Sequence, residues 1–130
     1  MLPLRYAYFW LAGGLLLMAI VLGLTLAPLG QTLAISFLSD KASHFIAFLT
    51  MMLWFCGIVR FRLTPLVALG LLAFGVLIEL LQSQLPYRSA EFADGVYDLA
   101  GILTGWLLAV AGFRHWAVTV ESWWPSRPAP

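Results

Sequence analysis

The feature that most constrains this chain is the stretch from Tyr6 to Ser39, which contains no charged residue. Across the whole chain 62% of the residues are hydrophobic and only 10% are charged, whereas soluble domains are about 45–50% apolar and about 25% charged. Seven basic and six acidic residues cannot cover a water-soluble surface of this size. The composition therefore predicts an integral membrane protein, and argues against a soluble enzyme or a disordered chain.

Charge and cysteine content exclude further classes of protein. A formal net charge of +1 argues against a strongly basic nucleic-acid binder, so we expect no nucleic-acid partner. The single cysteine, Cys56, excludes an internal disulfide framework and a cysteine-rich metal site. Because the sequence contains no nucleotide-binding loop and no metal motif of recognised spacing, it predicts no cofactor and no metal.

Apolar runs divide the chain into four predicted membrane-spanning helices, since one span needs about 20 apolar residues. The first run is longer than the apolar region of a signal peptide and ends at Pro28 and Gly30, which favours an uncleaved helix. The predicted spans are Tyr6–Ala27, Lys41–Val59, Leu63–Leu85 and Gly95–Phe113. The predicted fold is an all-α membrane protein with a four-transmembrane-helix bundle.

The domain boundary is predicted near residue 113. Residues 1–113 form the four-helix transmembrane domain, and residues 114–130 form an interfacial segment with a disordered tail. Trp116, Val120 and Trp123 recur at helical spacing, and tryptophan collects at membrane interfaces, which predicts a short interfacial helix. Residues 125–130 are the predicted tail.

The basic residues predict that both termini are cytoplasmic, because short cytoplasmic segments carry an excess of Lys and Arg. This orientation places five arginines inside (Arg5, Arg60, Arg62, Arg114 and Arg127) and two basic residues, Lys41 and Arg88, outside. Asp40, Glu91 and Asp94 then fall in outer loops. Glu79 and Asp98 fall in the outer halves of the third and fourth helices.

The fourth predicted helix combines carboxylates and glycines on one stripe. At 100° per residue one face presents Asp94, Asp98, Gly101, Gly105 and Gly112. Glycines at four-residue spacing allow close helix packing, so the stripe has a purely structural interpretation. Intramembrane carboxylates are costly and usually mark functional sites, which favours a functional role for the two aspartates.

The third predicted helix carries Glu79 and Gln82 on a shared face. Glu79 lies below the headgroup level, where an unpaired carboxylate is strongly disfavoured, so it must be paired or protonated. Arg88 and Lys41 are the candidate cations. A Glu79–Arg88 pair that only locks helices together is the alternative to a functional site.

The second predicted helix begins with a further polar group. Asp40 and His44 are four residues apart, with Lys41 between them; Asp40 also suits a helix N-cap, and His44 a structural hydrogen bond. The polar residues of the predicted outer face together suit general acid–base catalysis or anion binding. The catalytic candidates are Glu79, Asp94 and His44, and the substrate-binding candidates are Arg88, Lys41, Gln82, Asp98 and Asp40.

Two segments of these helices resemble the VanZ-like family. Asp40–Phe45, followed by Phe48, is similar to that family's D-K-x-x-H-F-x-x-F segment. The second segment begins with E-x-x-Q at Glu79–Gln82 and continues through Pro86, Arg88, Glu91, Asp94, Asp98, Gly101 and Gly105. The resemblance covers about residues 40–112.

The resemblance implies a small multi-helix protein of the bacterial inner membrane, in a family whose founding members are linked to resistance to teicoplanin. One residue departs from the family pattern, because Asp98 stands where the family usually has asparagine. Asp98 either is protonated to imitate the amide or forms its own pair with Arg88, Lys41 or His44.

Three functions follow as hypotheses. The first is an envelope protein that binds or modifies a lipid headgroup or a lipid-linked cell-wall component at its outer face. The second is proton-coupled transport through Glu79, Asp98 and His44, which is disfavoured because the inner half of the bundle has almost no ionisable residue. The third is a structural scaffold. The expected partners are the lipid bilayer and such a headgroup, and the oligomeric state stays open.

Overall fold

The computed structural model describes residues 1–28, 40–88 and 91–124, and over these residues every regular element is helical. The helices are α1 (Ala7–Leu26), α2 (Asp40–Cys56), α3 (Thr64–Gln82), α4 (Phe92–Val110) and the short α5 (Trp116–Ser122), with single 3-10 turns at Phe61–Leu63 and Phe113–His115. The all-helical class predicted from the sequence is confirmed. The predicted tail, residues 125–130, lies outside the described residues.

Local sequence signals explain where the helices begin and end. Ala27 adopts an extended conformation (φ −69°, ψ 145°) after α1, as expected for a residue that precedes a proline. Pro65 lies in the first turn of α3, where its missing N–H is not needed. The φ of Gly112 is 138°, a conformation that glycine adopts easily and that ends the fourth helical segment.

Three helical segments in the described part of the chain are long and apolar enough to cross a membrane: Ala7–Leu26, Phe61–Gln82 and Phe92–Val110. These spans indicate that the chain is a membrane protein. The fourth predicted span corresponds to α2, which has 17 residues and a length of about 26 Å, slightly less than the ~30 Å hydrocarbon core. α4 begins three residues earlier than we predicted.

The four long helices alternate in direction. The side chains at the two ends of the bundle differ in chemical character. At one end Gln82 Nε2 donates to Thr25 O (3.1 Å) and Tyr87 Oη donates to Leu26 O (3.0 Å), which joins the end of α3 to the end of α1. α2 and α4 both begin at this end, which we call the polar end. The opposite end is called the tryptophan end.

α2 occupies the centre of the bundle and packs against α1, α3 and α4. Its Phe48, Met51 and Met52 are almost fully buried, together with Ile78 of α3 and Ile102 of α4. The outward faces of the other helices are instead apolar and exposed, with large side chains such as Leu16, Leu24, Leu66, Leu69, Leu103 and Leu107. An exposed apolar surface of this extent fits contact with membrane lipid.

Glycines of α4 allow α4 to approach α2 closely. A Cβ added at Gly101 would overlap the backbone carbonyl of Phe45, and a Cβ at Gly105 would lie 2.8 Å from Leu49 O. The glycine stripe predicted from the sequence therefore packs within the chain at these two positions. It brings the first turns of α2 and α4 side by side.

Aromatic rings close the tryptophan end. Trp10, Trp54 and Trp116 contact one another, with ring centroids 5.1–5.9 Å apart. Trp54 Nε1 donates to Trp10 O and Trp116 Nε1 to Leu53 O, both at 3.0 Å. Helix α5 confirms the predicted short helix, but its Trp116 packs into the bundle, whereas Trp123 is exposed.

Candidate functional site

A buried histidine–aspartate pair forms the floor of the polar end. His44 Nδ1 of α2 and Asp98 Oδ1 of α4 are 2.8 Å apart, and the residues are only 4% and 1% exposed. Of the partners that the sequence left open for Asp98, the structure selects His44. With Nδ1–H donating to the carboxylate, Nε2 becomes the ring nitrogen that can exchange a proton or bind a metal.

A second layer of carboxylates lies one helical turn above this pair. Asp40 and His44 are four residues apart on α2, and Asp94 and Asp98 are four apart on α4. Asp94 is 2% exposed, whereas the side chain of Asp40 is 62% exposed. Both aspartates are helical, which corrects our assignment of them to loops.

Donor atoms of Asp40, His44 and Asp94 converge. One donor atom from each residue lies within 4.8 Å of the donor atoms of the other two. No spacing in the sequence indicated this group, because its members come from two helices whose register is set by packing. These three residue types ligate metal ions, and their donor atoms lie near enough to one another to share one ion.

Glu79 of α3 faces the same cluster without the partner that we predicted. Asp94, His44, Asp98 and Asp40 all lie close enough to act electrostatically on Glu79. Among the described residues, Glu79 Oε1 and Asp98 Oδ2 are buried oxygens with no hydrogen-bond partner. Such oxygens are costly unless a donor or a cation reaches them.

The two cations at the polar end bind other groups. Arg88 Nη1 lies 3.8 Å from Asp40 Oδ1, and Arg88 Nη2 donates to Ala27 O at 3.3 Å. Lys41 Nζ donates to Glu91 Oε2 at 3.2 Å in an exposed pair. The Glu79–Arg88 or Glu79–Lys41 pair expected from the sequence is therefore not formed.

Gln82 connects the end of α3 to the end of α1. Its amide nitrogen donates to Thr25 O, while its oxygen is buried without a partner among the described residues. Gln82 thus fixes the end of α3 against α1 next to Glu79. Its predicted role in substrate binding stays a prediction.

Sequence reasoning missed the role of Glu121 at the tryptophan end. Its carboxylate accepts hydrogen bonds from Arg5 N (2.6 Å), Tyr6 N (2.9 Å) and Trp10 Nε1 (2.8 Å). Partial burial raises the pKa of Glu121, but these hydrogen bonds outweigh it and lower the pKa below its usual value. The available signal was the lone acid of α5 together with the unpaired N–H groups that begin every helix.

Comparison of the chain with known protein families, with curated proteins and with solved structures gives no match. The resemblance to the VanZ-like family therefore stays a prediction.

Proposed function

We propose that this chain is a VanZ-like protein of the bacterial inner membrane that binds an anionic, phosphate-bearing headgroup at its polar end. The headgroup belongs to a membrane lipid or to a lipid-linked component of the cell envelope. In this proposal α2 is the fourth span, both termini are cytoplasmic and the polar end faces outward. The observation that carries the proposal is the gathering of Asp40, His44, Asp94 and Asp98 with Glu79 at one end of an apolar bundle.

The cost of this cluster argues for a function. Burying polar groups without partners destabilises a fold, and intramembrane carboxylates usually mark a ligand or ion site. Apolar side chains or a satisfied network would hold the helices together at lower cost. Oxygens of Glu79, Gln82 and Asp98 that have no hydrogen-bond partner among the described residues therefore support a binding site over a purely structural contact between helices.

Arg88 and His44 would contact the headgroup. Arg88 is half-buried and its 3.8 Å pair with Asp40 is long, so the guanidinium can turn toward a phosphate, which it binds bidentately. His44 is held by Asp98, which acts as a positioning residue, and Nε2 can give or take a proton. Lys41 adds positive charge at the exposed rim.

A proton-transport path is not supported by the residues below the cluster. Toward the tryptophan end, the buried positions next to the floor are apolar, with Phe48, Met51, Met52 and Ile102 almost fully covered. A relay needs ionisable groups or water at short intervals. Headgroup binding at one face requires no such path.

Lipid retention tests the proposal directly. The purified full chain is placed in phosphatidylcholine nanodiscs with or without phosphatidylglycerol, and bound lipid is counted by native mass spectrometry. We expect Arg88→Gln and His44→Gln to weaken phosphatidylglycerol retention at least about tenfold, because a charged hydrogen bond contributes about 1.5–3 kcal/mol.

Matched controls come from the other end of the bundle. Arg114→Gln and His115→Gln change the same residue types there and are expected to retain the lipid as the wild type does. Equal retention by all four variants would contradict the proposal. If the polar-end variants instead fail to accumulate while Arg114→Gln and His115→Gln accumulate normally, the scaffold hypothesis is favoured.

A further inference from the structure

We infer that Asp40, His44 and Asp94 bind a divalent transition-metal ion, with Zn²⁺ or Mn²⁺ as the best match to their donors. The three residues offer two carboxylate oxygens and one imidazole nitrogen within 4.8 Å of one another. Imidazole suits transition metals such as Zn²⁺, whereas Mg²⁺ and Ca²⁺ prefer oxygen ligands alone.

The separations are compatible with one ion after small side-chain movements. In a tetrahedral site with bonds of about 2.1 Å, ligand atoms lie about 3.4 Å apart. The limit of 4.8 Å therefore requires the donors to close by at most about 1.4 Å. Asp40 can supply this movement, because its side chain is largely exposed, while His44 and Asp94 form the buried base of the site.

The hydrogen bond between His44 and Asp98 is an independent observation that points to a ligand. A metal-binding histidine usually donates its other ring N–H to a carboxylate, which fixes the tautomer and the ring orientation. Here Asp98 Oδ1 lies 2.8 Å from Nδ1, so Nε2 is the nitrogen left for an ion. The register of α2 against α4 therefore fixes the ring orientation of His44 in the absence of a metal ion.

A buried carboxylate oxygen without a partner is the second independent observation. Four carboxylates of the polar end (Asp40, Asp94, Asp98 and Glu79) lie near two basic side chains, of which Arg88 lies 3.8 Å from Asp40 and Lys41 pairs with Glu91. Asp98 is 1% exposed and its Oδ2 has no hydrogen-bond partner among the described residues. A divalent cation bound by Asp40, His44 and Asp94 would offset the negative charge of these carboxylates.

Three protein ligands leave an open coordination position, as in catalytic rather than structural zinc sites. A phosphate oxygen of the headgroup would take that position. This second part of the inference rests on the proposed function, whereas binding of the ion itself does not.

Metal content tests the first part. The full chain is stripped with EDTA in detergent, dialysed against Zn²⁺, Mn²⁺ or Mg²⁺, and the bound metal is measured by mass spectrometry. We expect one equivalent of Zn²⁺ or Mn²⁺ and no Mg²⁺, with affinity lowered at least about 100-fold in His44→Gln and Asp94→Asn. No bound transition metal, or unchanged binding in His44→Gln, would overturn the inference.

Control variants distinguish this site from metal binding by other side chains of the protein. His115→Gln removes the other histidine and Glu91→Gln removes an exposed carboxylate of the polar end, and both are expected to bind metal normally. If the buried variants fail to fold, Asp40→Asn replaces them, because its exposed side chain is not part of the core; we expect at least about tenfold weaker binding. Unchanged affinity in Asp40→Asn would count against the site.

The lipid assay, repeated in EDTA and in Zn²⁺, separates the two proposals. Loss of phosphatidylglycerol retention in EDTA supports the inference that the headgroup phosphate binds at the open coordination position of the ion. Retention unaffected by EDTA overturns that role and leaves the proposed function standing. Zn²⁺ bound without any phosphatidylglycerol retention overturns the proposed function and leaves the metal site standing.

Discussion

Replacing Gly101 by alanine tests whether the close contact between α2 and α4 builds the polar site. A Cβ at this position would lie 3.0 Å from Leu49 N and 3.2 Å from Phe45 C, and closer still to the Phe45 carbonyl oxygen. These are backbone atoms of α2 and cannot rotate away. The two helices must therefore separate by about 0.5–1 Å to restore normal contact distances.

The expected cost is worked from two opposing effects. Overpacking of this kind costs about 1–3 kcal/mol, and replacing a helical glycine by alanine returns up to about 1 kcal/mol. Gly95→Ala is the matched control on the same helix, because nothing lies within 4 Å of its added Cβ. The difference between the two variants isolates the packing cost, about 1–3 kcal/mol.

Equilibrium unfolding in mixed dodecylmaltoside and SDS micelles, followed by tryptophan fluorescence, measures both variants. We expect Gly101→Ala to be less stable than Gly95→Ala and to bind phosphatidylglycerol more weakly, since Asp98 lies one turn away and its 2.8 Å bond to His44 lengthens. Equal stability of the two variants would refute the packing argument. Lower stability with unchanged lipid binding would refute its link to the site.

The other predictions concern the tryptophan end. Because folding lowers the pKa of Glu121, its carboxylate stabilises the fold above its ordinary value of 4.5 and loses this effect as the pH falls through the lowered value. The melting temperature of Glu121→Gln should therefore lie below that of the wild type at neutral pH and converge with it in acid; a constant difference would contradict this. Trp116→Phe removes the hydrogen bond to Leu53 O and should cost about 1 kcal/mol in the same unfolding assay, and full wild-type stability would argue against that bond. A reporter that is active only outside the cytoplasm, fused in the 60–62 loop, should be inactive, and strong activity would reverse the proposed orientation.

Hydropathy and helical periodicity predicted most of the fold because they depend on single helices. The uncharged run before Ser39 and the arginines at residues 60 and 62 bound the helices, which the structure places within a few residues of their predicted limits. The spacing of three or four residues between Asp94, Asp98, Gly101 and Gly105 predicted one packed face. The structure confirms that this face meets α2.

Side-chain partners could not be predicted in the same way, because they depend on the register between helices. The sequence offered three partners for Asp98 and two for Glu79. Packing at Gly101 brings Asp98 to His44, and Arg88 donates to the carbonyl of Ala27, the residue directly after α1. A count of charges in the sequence does not distinguish these arrangements.

The identity of lipids that co-purify with the chain tests the central claim most directly. Wild type, His44→Gln and His115→Gln are expressed in the same bacterial strain and purified in mild detergent, and bound lipids are identified by mass spectrometry. The account predicts a phosphate-bearing lipid or lipid-linked envelope component that is enriched on the wild type and on His115→Gln and is lost from His44→Gln. The same lipid profile on all three proteins would contradict it.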